Sequence, residues 1–101
     1  MKYYVLETTM RPNAYRQAGF REALAGHMDF VKQQFADGII LFSGTKPDQS
    51  GGIRVLKISD DSDVAAFWQQ DPMTVAGMLD YRVTAFEPLD VTEEAKRWFA
   101  E

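Results

Sequence analysis

One histidine, one Asp-Pro step that closes an apolar stripe, and no cysteine bound the chemistry open to this chain. His27 is the only imidazole, and histidine is the side chain whose ordinary titration falls near neutral pH. It sits in the series Phe20, Leu24, His27, Val31, Phe35, the i, i+4, i+7 spacing of an amphipathic helix facing a core. At about 100° per residue, His27 falls about 20° to one side of Phe20, with Leu24 and Val31 on the other side, which places it at the edge of the stripe. Asp71 extends a second stripe, at i+4 from Phe67 and i+3 from Trp68, and Pro72 disfavours helical geometry at Asp71 itself. A carboxylate beside an imidazole fixes its tautomer and raises its basicity, as general acid–base catalysis requires. The expectation is that His27 and Asp71 meet, directly or across a bound ligand. The competing reading is structural: an imidazole satisfied by a carbonyl or water, and an Asp-Pro that only stops a helix.

Other polar residues carry two readings each. Ser43 follows an apolar strand and precedes Gly44, either bonding the turn or positioning a substrate. Arg11, Arg16 and Arg21 precede His27 and either bind an anionic substrate or decorate an exposed surface. Phe67, Trp68, Tyr81 and Phe86 form core or line a pocket for a flat ligand. For a metal, one histidine and no cysteine leave only carboxylates, and none has ligand spacing. Asp60, Asp61 and Asp63 read better as helix caps. Gly51-Gly52 lacks the lysine of a phosphate loop and the pattern of a dinucleotide fingerprint, and no nucleophile elbow is present. No cofactor and no metal are therefore expected.

A net charge of −4 without a basic run argues against nucleic acid. No stretch approaches the roughly 20 apolar residues that span a bilayer, and the N-terminal segment reads as a strand, not a signal peptide. The expectation is a cytoplasmic protein with a small-molecule ligand and neither a nucleic-acid nor a membrane partner.

The elements that must position these residues follow from pattern. Tyr3 to Thr8 reads as a strand, and Ala14 to Ala36 as a long helix stopped by Asp37-Gly38. Gly19 is an alternative start to its strong part, and Gly26 leaves room beside His27. Ile39 to Phe42 is apolar throughout, so both faces of this strand are expected to be buried. A polar turn leads to the strand Ile53 to Ile58, then to a helix through Val64 and Trp68 ending at Asp71. Tyr81 to Phe86 is the last strand, and Thr92 caps a short terminal helix. The order β-α-β-β-α-β defines an α+β, ferredoxin-like fold over residues 1–101 as one domain, with a four-stranded antiparallel sheet and its two main helices on one face. The open face of the sheet then calls for a second copy, giving a homodimer.

Several short motifs, taken in order, resemble the YCII-related family: His27; Asp37-Gly38-Ile39-Ile40-Leu41-Phe42-Ser43-Gly44; a glycine turn before a strand; Asp71-Pro72-Met73-Thr74-Val75-Ala76-Gly77; and the closing Tyr81-Arg82-Val83-Thr84-Ala85-Phe86. The resemblance covers about residues 1–88. It implies a dimeric α/β barrel with a pocket between helices and sheet, His27 and Asp71 as the active-site pair, and Ser43 nearby. It also implies a cofactor-independent activity, since some members are dehydrochlorinases of chlorinated aromatics. This chain departs from the pattern in two places: Arg21 lies six residues before His27 instead of three or four, and Met73 replaces an aromatic after Asp-Pro. Three functions follow as expectations. The first is an acid–base enzyme performing elimination or isomerisation, with Ser43, Arg16 and Tyr81 binding substrate. The second is a metabolite-binding regulatory dimer. The third is a cofactor-free monooxygenase-like barrel.

Overall fold

A computed structural model describes residues 1–100. Four strands, β1 (Lys2–Met10), β2 (Ile40–Thr45), β3 (Gly51–Ile58) and β4 (Leu79–Phe86), form one antiparallel sheet in the order β2-β3-β1-β4. The helices are α1 (Phe20–Ala36), α2 (Val64–Trp68), α3 (Pro72–Val75) and α4 (Glu93–Ala100). This is the α+β, βαββαβ architecture with an added C-terminal helix.

Alternation along the strands assigns the faces. Leu6 and Thr8 of β1 and Arg54, Leu56 and Ile58 of β3 are buried toward α1. Two apolar clusters fill that layer. One joins Ala14, Ala23, Met73, Met78 and Leu79, with Phe20 and Leu24 packed against it. The other joins Leu6, Ile40, Leu56 and Trp68, with Phe30 and Val31 packed against it. In the α1 sequence, His27 falls between the residues that serve the first cluster and those that serve the second.

Several elements differ from the sequence reading. Helix α1 starts at Phe20, because Gly19 takes a left-handed φ of 83° at the N-cap and the residues before it form a separate 3-10 turn, Ala14–Arg16. Phe35 is exposed, whereas Phe30 and Gln34 turn inward. The inward set Phe20, Ala23, Leu24, Phe30, Val31 and Gln34 spreads about evenly around His27 at 100° per residue, so His27 lies on the centre line of the stripe and not at its edge.

Strand β2 carries a bulge at Leu41: Ile40 pairs with Leu56, but Phe42 pairs with Val55. Ile40 therefore faces the helices, Phe42 faces the other way and is 51% exposed, and Ser43 returns to the helix side opposite Arg54. Within the chain the open side of β2 is uncovered, and this is the face for which the apolar run called for a second copy.

The C-terminal helix does not join α1. Tyr3 and Lys57, paired across β1 and β3, point to the opposite face. There the Tyr3 hydroxyl donates to the carbonyl of Phe99 (3.1 Å), Lys57 donates to that of Trp98, and Trp98 Nε1 donates to Gly38 O (2.9 Å). Helix α4 thus covers one end of the second face. No helix among the described residues is long and apolar enough to cross a membrane.

Candidate active site

Asp71 is placed by a local device. After α2 the chain turns, and Asp71 takes extended geometry as the N-cap of α3, with Pro72 in the first helical turn. Its Oδ1 accepts from the Met73 N–H at 3.0 Å, which leaves Oδ2 free to point at α1. His27 Nδ1 lies 2.7 Å from that Oδ2. The Asp71 side chain is 0% exposed and that of His27 14%. A buried carboxylate is costly unless its oxygens are hydrogen-bonded, and here both are.

Helix α1 and α3 approach closely because residue 26 is glycine. A Cβ at Gly26 would stand 2.8 Å from Pro72 Cγ. The space beside His27 that the sequence suggested is the space that admits the Asp-Pro corner.

A third member of the site went unnoticed in the sequence. Arg54 on β3 is buried, with 8% of its surface exposed, and its Nη2 lies 3.2 Å from His27 Nε2. Its guanidinium carbon sits 5.0 Å from the centre of the Trp68 ring, a cation–π contact. The signal was available: Arg54 shares a face with Leu56 and Ile58 by strict alternation, so it had to point at α1 if they did. Burial pulls the Arg54 guanidinium below its ordinary value, and the Asp71 charge opposes that pull.

These contacts determine the tautomer. Guanidinium nitrogens only donate, so Nε2 accepts from Arg54 through its lone pair. The proton then resides on Nδ1, which donates to Asp71. The imidazole is neutral in this arrangement, with its basic nitrogen directed away from the carboxylate.

His27 and Arg54 line a cleft of about 380 Å³ together with Thr8, Leu24, Ser43 and Gly52. That volume suits a small molecule. Its rim is built of backbone: a Cβ at Gly51 would lie 1.8 Å from Thr8 O, so β1 and β3 can pair there only through glycine. Gly52 N–H donates to Thr8 Oγ1 at 3.0 Å. A larger hollow of about 580 Å³ lies between Met1–Tyr4 and Ala85–Pro88 and contains none of the His27, Asp71 and Arg54 set.

Of the residues selected from sequence, His27, Asp71 and Ser43 converge, Ser43 lying exposed on the cleft wall opposite Arg54. Two others lie elsewhere. Arg16 is exposed on the 3-10 turn, its guanidinium 5.4 Å from the Tyr15 ring centre, and does not line the cleft. Tyr81 is held by pairing with Thr8, and its ring packs on the Leu6 and Trp68 cluster instead of opening into the cleft. Among the described residues no group of three or more His, Cys, Asp or Glu side chains could hold a metal ion.

A four-stranded sheet backed by helices, with a buried carboxylate, an imidazole and a guanidinium meeting beside a cleft, defines a small α+β domain. The chain belongs to the YCII-related domain family, whose model matches residues 1–87. Among solved structures it is similar to 5-chloro-2-hydroxyhydroquinone dehydrochlorinase from Burkholderia phenoliruptrix AC1100, determined in complex with 2,5-dihydroxybenzoquinone. The identity is 19%, the TM-score 0.63, and the match covers 84% of this chain and 93% of that one. No curated protein matches the sequence.

Proposed function

We propose that this protein is a cofactor-independent acid–base enzyme acting on a small organic molecule, with His27 as the proton-transfer group. The observation that carries this reading is the 2.7 Å contact between the fully buried Asp71 and Nδ1 of His27, which lines a ligand-sized cleft. Asp71 accepts a hydrogen bond from Nδ1–H, keeps the lone pair on Nε2, and stabilises the imidazolium that forms when Nε2 takes a proton. In an isomerisation the same proton returns to another atom of the substrate. In an elimination the electron pair left behind expels an anionic leaving group, so substrate becomes product plus HX with no change of oxidation state supplied from outside. Ser43, at the cleft wall, positions the substrate.

The dehydrochlorinase resemblance makes elimination from a halogenated, hydroxylated ring the first reaction to try. Halide release from chlorinated hydroquinones should be measurable with the purified protein and fall by about 10²–10⁴ in His27→Gln, the usual share of a general acid–base group. Undiminished turnover in a folded His27→Gln protein would overturn the assignment. A second reading, a metabolite-binding protein without turnover, draws on one observation: Arg54 already occupies the His27 Nε2 lone pair. Tight binding of hydroxylated rings with no conversion would decide for it.

We also infer a homodimer formed through the open face of the sheet. Phe42 and Ile53 are 51% and 41% exposed there, beside Val5 and Val55. Light scattering should give twice the chain mass at micromolar concentration, and Phe42→Asp should return it to the monomer. A wild-type monomer under those conditions would overturn the inference.

A further inference from the structure

Among the described residues Arg54 is the one lysine or arginine in the wall of the cleft, and most of its hydrogen-bonding capacity is unused. Nε and Nη1 are buried and find no acceptor among the described residues. Nη2 donates only to His27 Nε2, a neutral acceptor, at 3.2 Å. The carboxylate whose charge acts on it, Asp71, directs its two oxygens to Met73 N–H and His27. A guanidinium presents a planar fork that matches a carboxylate or a phenolate oxygen, and bonds to an anion are shorter and about twice as strong as those to a neutral acceptor. The guanidinium carbon lies 5.0 Å from the Trp68 ring centre, a cation–π contact that uses none of its N–H donors.

We propose that Arg54 is the substrate-binding residue for an anionic oxygen, and that engaging this anion releases the His27 Nε2 lone pair for proton transfer. The anion is a carboxylate, or an oxygen of a ring hydroxyl in its ionised form. It takes the Nη2 donor first. The guanidinium then turns on the Trp68 ring to present Nη1, which is sealed from solvent in this structure. With Nη2 drawn away, Nε2 faces the cleft with a free lone pair. Proton transfer is thereby tied to the presence of the right substrate: the bond from the substrate to its proton breaks as the Nε2–H bond forms, and substrate and protein are not joined covalently. The second half of this inference rests on the acid–base reading of His27; the first half, anion binding by Arg54, stands without it.

Benzoate and its neutral isostere benzamide are the probes, with binding followed by calorimetry. Benzoate should bind at least tenfold more tightly than benzamide. Arg54→Gln should remove that preference and leave benzamide binding within threefold, and Arg54→Lys should retain part of it. His27→Gln should keep the preference. Because His27 is the only histidine, its ¹⁵Nε2 resonance is unambiguous and should move on adding benzoate to the wild type. Equal affinity for the two probes, or a preference that survives Arg54→Gln, would overturn anion binding by Arg54. A stationary Nε2 resonance at saturating benzoate would overturn the release. If Arg54→Gln does not fold, the wild-type preference, the Arg54→Lys protein and the resonance decide the matter. Absence of turnover with an intact benzoate preference would remove the acid–base reading, and with it the role of the released Nε2, and would leave anion binding by Arg54 standing. Turnover with no benzoate preference would remove this inference alone.

Discussion

Gly26 of α1 and Pro72 of α3 touch so closely that a single added methyl group would stand 2.8 Å from the proline ring. The contact sets the distance between the two helices, and with it the reach of Asp71, the residue before Pro72, to His27, the residue after Gly26. Gly26→Ala should therefore act against its own helix propensity. Alanine gains up to about 1 kcal/mol in a helix interior relative to glycine. Overpacking against a rigid ring costs about 1–3 kcal/mol. The net expectation is a loss of stability of up to about 2 kcal/mol by urea denaturation, with a fall in turnover larger than the stability loss explains. A stabilised and fully active Gly26→Ala protein would show that the contact does not position the pair.

Asp71→Asn tests the carboxylate without removing the cap. The Asn side-chain oxygen can still accept from Met73 N–H, so α3 should form. The amide nitrogen facing Nδ1 would donate instead of accept, which forces the imidazole proton onto Nε2 and sets it against the Arg54 donor. Turnover should fall by about 10²–10⁴ with the fold intact by circular dichroism. Asp71→Ala should in addition lose the cap, a further cost of about 0.5–2 kcal/mol.

The reach of sequence reasoning here follows the nature of each signal. His27 and Asp71 were visible because each interrupts an apolar helical stripe, and the topology set both stripes on the same side of the sheet. Arg54 was open to the same period-two logic, but each face of Ile53 to Ile58 carries two apolar residues and one charge, so alternation tied Arg54 to Leu56 and Ile58 without saying whether that face or the Lys57 face met α1. The centring of His27 depended on Phe30 and Gln34 turning inward in place of Phe35, a rotation of the helix that only packing determines. Helix α4 shows the limit most plainly. Its amphipathic pattern says that one side must be covered, but not which face of a sheet covers it, and the decision rests on Tyr3, Lys57 and Gly38, distant in sequence from Trp98. The Leu41 bulge, which turns Ser43 toward Arg54, leaves no mark in an unbroken apolar run.

The rim of the open face carries a pH-dependent contact. Glu7 is held below its ordinary carboxylate value by hydrogen bonds from Lys46 and Arg82, with the Lys46 charge adding to them. Lys46 Nζ lies 2.8 Å and Arg82 Nη2 2.9 Å from its oxygens. A carboxyl lowered on folding contributes stability that is present above its unfolded value, near 4.5, and is lost as the pH falls through the lower folded value. Glu7→Gln should therefore be less stable than wild type at neutral pH, and the two curves should converge as the medium is acidified below that range. High salt should narrow the gap at neutral pH, since the group is solvent-accessible. A gap that persists unchanged into acid would point to packing instead of charge.

Helix α4 and the cleft lie on opposite faces of the sheet, and the two should be separable by mutation. Trp98 anchors α4 through its Nε1 bond to Gly38 O and through ring contacts with Tyr3 and Phe99 at 6.1 and 4.8 Å between centroids. Trp98 is only half-buried, so Trp98→Ala should cost less than the 3–5 kcal/mol of a core tryptophan, about 1–3 kcal/mol. Below the unfolding transition, turnover and the His27 ¹⁵N resonance should stay at wild-type values, because Leu56 and Ile58 stand between α4 and α1 and keep their own contacts. The second face should respond differently. Losing α4 uncovers Tyr3 and Lys57 and adds the Tyr3 ring to a face that already exposes Phe42 and Ile53. Self-association should then increase, visible as a larger mass by light scattering at equal concentration. If Trp98→Ala instead weakened turnover in proportion to stability, the sheet would be transmitting strain between its faces, and the site could not be treated as independent of the helix behind it.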